Sequence, residues 1–239
     1  MIEREPIFVT GAARSGSGMI AGVLVKCGAF GGVMTNKRGL YENDQIRETV
    51  VKPYLHEAAA DPSGQFPLLD VTKLSIPRNW RVQIEAIIEK EGYMKGPWMY
   101  KDARIGLMWP VWHYAFPNAK WVLVRRRTGD IVESCKKTAY MSMFKDASIR
   151  QVAKVDSEEE GWLWWIHEQE KRWIEMMNEG VNVKVVWPER MVHGDYSQLY
   201  ETLDWLGLRW NSDILNFIDP LLWASRKKKG GQNGTGDNK

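Results

Sequence analysis

An α/β fold is predicted: three layers, a mainly parallel sheet of about five strands, and helices on both faces. Two observations carry it. Apolar runs of strand length alternate along the chain with segments of helical periodicity. The first such pair, IFVTGAARSGSGMIAGVL over residues 7–24, places a glycine- and serine-rich turn between strand and helix. That order lets a backbone turn and a helix N-terminus converge on an anion.

The strands are assigned to Ile7–Thr10, Phe66–Val71, Trp98–Lys101, Trp121–Arg125 and Val181–Trp187. Four are nearly continuous apolar runs, as strands buried on both faces should be. FPLLDV at Phe66–Val71 is the weakest. Helices are expected over Ser17–Lys26, Asp44–Ala60 with a kink at Pro53, Asn79–Glu91, Gly129–Met143, Glu158–Glu179 and Tyr196–Leu206. A short helix is also expected between Arg104 and Phe116. In such a sheet, ligands bind at the carboxyl ends of the strands.

A chain of 239 residues suits one domain, here residues 1–226, and the polar, glycine-rich tail 227–239 is expected to be disordered. A net charge of +3 permits an anionic ligand but gives no concentrated basic face for nucleic acid. The thirteen tryptophans fall mostly in apolar or amphipathic runs, which reads as core rather than as a base-stacking platform. Cys27 and Cys135 have no metal-like neighbourhood and read as free thiols. No run approaches the ~20 apolar residues of a membrane span, and the N-terminus lacks a signal-peptide pattern. A cytoplasmic protein without a membrane partner is therefore expected.

The anion loop has a feature that narrows its chemistry. Gly11 and Gly16 match the glycine spacing of a P-loop, but Ser17 stands where a nucleotide hydrolase carries lysine. Gly16 and Gly18 allow close backbone approach, while Arg14 supplies a cation from within the loop. A second charged cluster, Lys101-Asp102-Ala103-Arg104, ends the third strand. A third, Arg125-Arg126-Arg127, ends the fourth. If a helix starts near Gly129, Ser134 lies little more than one turn inside it and turns back toward Arg126. That pair suits a second phosphate; an ordinary strand-end salt bridge is the competing reading.

These blocks together resemble the sulfotransferases that use 3′-phosphoadenosine-5′-phosphosulfate (PAPS). IFVTGAARSGSGM is similar to their 5′-phosphosulfate loop, which contains R-S-G-T. KDARIGLMWPVWHYAFPNAKWVLVRRRTGDIVES is similar to the segment running from K-D-P-R to R-D-P-x-D-V-x-x-S. VKVVWPERMVHGDYSQLYETLDWLGLRW is similar to their closing strand and helix. The resemblance implies that Arg14, Ser15, Gly16, Ser17 and Gly18 hold the 5′-phosphosulfate, and that Arg126 and Ser134 hold the 3′-phosphate. It implies no metal. Departures from the pattern are Ser17-Gly18 for a hydroxyl pair, Ala103 for proline, and Arg127-Thr128 for Asp-Pro. The Arg226–Gly230 segment is a poor match to the family's basic-glycine closing segment, and a solvated tail is the competing reading.

Sulfuryl transfer needs a base. His56, His113, His167 and His193 all lie away from the strand ends, so no histidine is assigned. The carbohydrate- and tyrosine-modifying branches use a glutamate after the first helix, and Glu42 is the candidate here, with Asp102 the runner-up. The plain alternative for Glu42 is a helix-cap or exposed loop acid, since Asn43-Asp44 directly precedes a helix and could cap it. Lys37 and Arg38 read as solvated charges that would also suit an anionic acceptor such as a glycan. The acceptor, a small molecule or a carbohydrate, carries no readable motif. Two other functions stay open: a P-loop kinase of a small metabolite, and a non-catalytic protein that binds PAP (3′-phosphoadenosine-5′-phosphate) or a glycan.

Overall fold

The computed structural model describes residues 5–35, 40–220 and 223. Lys37, Arg38, the Arg226–Gly230 segment and the tail 227–239 lie outside the described residues. A four-stranded sheet forms the middle layer, built from β1 (Ile7–Thr10), β2 (Met99–Lys101), β3 (Lys120–Val124) and β4 (Val183–Val186) in the spatial order β2-β1-β3-β4. All pairings are parallel, with Phe8 opposite Tyr100 on one side and Trp121 on the other. The chain crosses over between β2 and β3, so the switch point lies between β1 and β3, where a sheet of this order binds its ligand.

Side-chain alternation along the strands divides the core in two. Phe8, Tyr100, Trp121 and Leu123 face one layer, together with Trp98, Trp112, Phe116, Trp162 and Trp165. Ile7, Val9, Val122, Val124 and Val186 face the other, with Ile20, Val23, Leu24, Leu199 and Leu203. One face is therefore aromatic and the other aliphatic. Phe8 meets Trp121 and Trp112 edge-on, with ring centroids 4.7 and 5.0 Å apart, the geometry that aromatic quadrupoles favour. The tryptophans on this face are core, as the sequence indicated.

The expected fifth strand, Phe66–Val71, is absent. Pro67 has no N–H to give a ladder, and the backbone is satisfied elsewhere: the Pro67 carbonyl accepts from Asp61 N–H, and the Leu69 carbonyl from Arg172 Nη2 at 2.9 Å. The segment is instead a core-packed loop, with the Phe66 ring 5.7 Å from Trp164. The helix from Asp44 runs through Asp44–Ile46, a wider-wound Arg47–Val51 and Lys52–Glu57 in succession. The wide turn lies just ahead of Pro53, whose missing N–H breaks the regular ladder. Helix α1 (Ser17–Lys26) follows β1, α2 (Thr128–Lys137) follows β3, and α3 (Glu158–Asn178) packs on the aromatic face. The Ser157 hydroxyl starts α3 by accepting from Glu160 N–H. Among the described residues no helix is long and apolar enough to cross a membrane.

Candidate active site

The loop between β1 and α1 is shaped by its glycines. Gly11 has φ +154°, and a Cβ there would collide with the Val124 carbonyl at the end of β3. Gly16, at φ +94°, caps α1 with no side-chain hydrogen bond. The first-turn N–H groups of Ser17 and Gly18 therefore have no intrahelical acceptor, and both residues line a cavity of about 360 Å³. Arg14 holds a left-handed backbone at φ +73°, a conformation that costs a non-glycine residue roughly 1 kcal/mol or more. Donors without intrahelical partners at a helix start, joined to a strained loop, are a geometry that suits an anion.

Arg14 links the other two predicted residues. Its Nε donates to Ser134 Oγ at 3.0 Å, and its carbonyl accepts from Arg126 Nη1 at 3.1 Å. Helix α2 thus turns Ser134 back toward the loop as its position eight residues after Arg126 suggested. Arg126 and Ser134 are both tied to Arg14. Arg126 is buried, lines the cavity, and stacks over the Trp223 ring at 4.4 Å. Burial pulls its guanidinium below the ordinary arginine range, and the like charge of Arg14 adds to this against the opposing pull of Asp130 and Glu189. An anion bound alongside would offset that cost.

At the end of β2 the charges are arranged differently. Asp102 is fully buried. Its Oδ1 accepts from Arg104 N–H at 2.8 Å and Arg104 Nε at 2.7 Å; Oδ2 accepts from Arg104 Nη2 at 2.7 Å and Tyr100 Oη at 2.8 Å. Burial, the largest influence, pushes the carboxyl up, yet the Arg104 charge, its hydrogen bonds and Lys101 outweigh it, and the net direction is down. Burial and then the Asp102 charge drive the Tyr100 phenol well above its ordinary range. Asp102 is not part of the cavity wall. Its acceptor positions are spent on Arg104 and Tyr100.

Glu42, the other candidate acid, lines the cavity and is 6% exposed. Lys101 Nζ donates to Oε1 at 2.8 Å; Arg104 Nη2 and Arg47 Nη1 donate to Oε2 at 3.0 and 3.3 Å. Glu42 is not the helix cap. Asn43 is, accepting from Ile46 N–H at 2.9 Å. The segment is tied at its base by the Thr35 N–H to the Glu42 carbonyl, at 2.9 Å. Of the predicted loop residues, Arg14, Gly16, Ser17 and Gly18 line the cavity, while Ser15 is buried beneath it.

Sequence reading missed the caging of Glu42. Lys101 and Arg104 were visible as charges at a strand end, but nothing marked Arg47 as their companion. Trp223 and Phe217, which complete the wall, come from more than 190 residues beyond the loop and left no local signal.

The architecture is similar to that of solved sulfotransferases. The sulfotransferase domain from the curacin biosynthetic pathway superposes with a TM-score of 0.57 at 13% identity, over 92% of this chain and 79% of that one. A sulfotransferase from Mycobacterium avium gives 0.51 at 11% identity, over 95% and 69%. One from Alicyclobacillus acidocaldarius gives 0.51 at 13% identity, over 89% of each chain. No protein-family model matches the chain, and no curated protein matches it. At these identities the likeness establishes the fold: a P-loop-like parallel α/β sheet of the kind sulfotransferases use.

Proposed function

We propose that this protein is a sulfotransferase that moves the sulfuryl group of PAPS onto a hydroxyl or amine acceptor. The observation that carries this reading is the cavity at the switch point. A glycine-shaped helix start with Ser17 in place of lysine opens into it, Arg14, Lys101 and Arg126 bring cations to it, and a buried carboxylate, Glu42, lines it. The fold it shares with sulfotransferases supports the same reading.

The residues fit the donor. A cradle of first-turn N–H groups and the Ser17 hydroxyl suits the 5′-phosphosulfate, and Arg126 suits the 3′-phosphate, with Ser134 held beside it through Arg14 but outside the cavity wall. PAPS supplies a sulfuryl group on a good leaving phosphate. An acceptor oxygen bonds to sulfur as the bond from sulfur to the bridging phosphate oxygen breaks. The electron pair of that bond stays on departing PAP, and the acceptor's proton passes to Glu42. Three donors occupy three of the roughly four acceptor positions on the Glu42 carboxylate, which leaves about one for the acceptor's hydroxyl. As the proton arrives, the cations around Glu42 lose their negative partner while negative charge grows on the phosphate. Lys101 and Arg14, both on the cavity wall, then act on that growing charge.

A P-loop kinase would need a lysine at position 17 and an acid at a strand end to hold magnesium. Ser17 occupies the first position, and Asp102 is committed to Arg104. The experiment is an incubation with PAPS in the presence of a chelator across hydroxyl and amine acceptors, reading PAP and sulfated product together. Product formed under these conditions supports the proposal. PAP binding without product on any acceptor points to a non-catalytic binding protein, and magnesium-dependent ATP turnover points to a kinase.

A further inference from the structure

The segment that carries Glu42 is fastened by an acid that lies outside the cavity wall. Two legs of chain, residues 31–35 and 40–43, run antiparallel, with Met34 bridged to Asn43. Thr35 N–H donates to the Glu42 carbonyl at 2.9 Å. Below that rung a single carboxylate oxygen, Glu91 Oε2, accepts from Val33 N–H at 2.8 Å and from Asn43 Nδ2 at 2.6 Å. One atom therefore holds both legs. From this geometry we propose that Glu91 is a positioning residue for sulfuryl transfer, keeping Glu42 on its caging cations and within reach of the acceptor. The inference rests on the sulfuryl-transfer reading with Glu42 as proton acceptor, and it adds a residue that does not line the cavity.

Local helix energetics do not account for an acid at this place. Glu91 caps the C-terminal end of the helix Trp80–Lys90, its own N–H bonded to the Ile87 carbonyl at 3.0 Å. That is the negative end of the helix dipole, which disfavours a carboxylate. The two N–H donors facing it favour one, because hydrogen bonds to a carboxylate are stronger than those between neutral groups. The backbone is shaped to admit the contact. Gly32 has φ +69°, and a Cβ there would collide with Glu91 Oε2 and come within 2.5 Å of Asn43 Nδ2. Glycine lets the acid and the amide meet at this turn. The first leg also starts from the sheet, since the Phe30 carbonyl accepts from Met99 N–H of β2 at 2.8 Å.

Asn43 passes the fastening on in two directions. It adjoins Glu42 in the chain, so fixing its side chain fixes the backbone that presents the acid. Its Oδ1 accepts from Ile46 N–H at 2.9 Å, and its carbonyl accepts from Arg47 N–H at 3.1 Å. Arg47 is itself one of the three donors to Glu42. The other two, Lys101 and Arg104, belong to β2 and the turn after it. Glu91 thus sets the acid and one of its cations against two cations fixed by the sheet. A misplacement of about 1 Å at a reacting group can cost about 10²-fold in rate. The anion cradle and Arg126 lie on other segments, so a change at Glu91 separates placement of the acid from binding of the nucleotide.

The test uses the full chain and three readouts: PAP affinity by calorimetry, hydrogen exchange at the Thr35 amide, and turnover of PAPS with the fastest acceptor of the hydroxyl and amine panel. Glu91→Ala should lower kcat by about 10–10²-fold and leave PAP affinity within about twofold. Exchange at Thr35 should quicken by about tenfold or more. Glu91→Gln keeps an oxygen able to accept both N–H groups and should bring kcat back to within about threefold of wild type. In a Glu42→Gln background, Glu91→Ala should lower turnover by less than about twofold further, because the group it places is gone. Asn43→Ser keeps a capping oxygen but loses the amide aimed at Glu91, and repeats the comparison should Glu91→Ala fail to fold. Unchanged kcat in folded Glu91→Ala overturns the inference, as does an equal loss in the Glu42→Gln background or a parallel loss of PAP affinity. Absence of turnover by the wild type defeats the sulfuryl-transfer reading instead. Exchange at Thr35 then decides alone: quickened in Glu91→Ala, it upholds Glu91 as the anchor of the Glu42 segment, and unchanged, it overturns it.

Discussion

The ends of β1 and β2 lie side by side in the sheet, both carry charge, and they use it in opposite ways. After β1, glycines and a left-handed Arg14 leave backbone donors and a hydroxyl facing a cavity. At the end of β2, the Asp102 carboxylate is saturated inside the protein by Arg104 and Tyr100, and Arg104 reaches on to Glu42 and the Pro62 carbonyl. One end leaves backbone donors open at a cavity; the other binds most of its charge within the protein. Glu42 joins them, since it accepts from Lys101 and Arg104 of the second end and still faces the cavity of the loop. Two buried carboxylates that share one arginine are thereby assigned different work.

The sharpest way to break that contrast is to neutralise each acid in turn. Glu42→Gln keeps size but removes the proton acceptor and turns its amide N–H toward one of the caging cations, so the fold is checked by Tm alongside. Turnover with PAPS and a good acceptor should fall by about 10²–10⁴, with PAP affinity nearly unchanged in a binding titration. If Glu42→Gln turns over normally while folded Asp102→Asn is dead, the assignments are reversed. Arg14→Ala comes next. Loss of one donor to charge that develops during reaction costs about 10²–10³ in rate, so kcat should drop further than PAP affinity, which steady-state kinetics beside equilibrium binding will separate.

Asp102→Asn tests the structural end. Removing one partner of a buried ion pair costs about 3–5 kcal/mol, so a clear loss of Tm at neutral pH is expected. The pH dependence has a definite sign. The folded Asp102 carboxyl is held below its ordinary value of 3.8, so its ionised form stabilises the fold at pH above that value. This stabilisation is lost as pH falls through the lower folded value. The Tm gap between wild type and Asp102→Asn should therefore be widest near neutrality and narrow below about pH 3.8. A gap that instead widens on acidification would show that Asp102 is not held ionised by Arg104.

What was legible in the sequence follows from how contiguous each feature is. Ile7–Thr10 and Ser17–Lys26 fall where the apolar run and the glycine turn placed them, because strand, turn and helix are written in one stretch. Phe66–Val71 was misread because a short apolar run looks the same in a core-packed loop as in a strand. The helix after β3 ends at Lys137 rather than running to Met143, and Ala147–Ala153 forms a further helix with no buried residue to reveal it. The same rule holds in the site. The cradle residues lie within five consecutive positions, whereas the cage of Glu42 draws Arg47 from one segment and Lys101 with Arg104 from another. Only tertiary structure brings those cations to one carboxylate, and only tertiary structure brings Trp223 against Gly16.

We propose that the open end of β1, with Arg126, suits a nucleotide bearing phosphate at both its 5′ and 3′ positions. Thermal denaturation with PAP and with adenosine 5′-phosphate, in chelator, for wild type and Arg126→Ala, tests it directly. PAP at about a hundred times its Kd should stabilise the wild type by about 2.7 kcal/mol, well above adenosine 5′-phosphate at the same concentration. Arg126→Ala should abolish most of that difference while leaving the response to adenosine 5′-phosphate nearly intact. Equal stabilisation of the wild type by the two nucleotides, or equal losses of both in Arg126→Ala, would contradict the account.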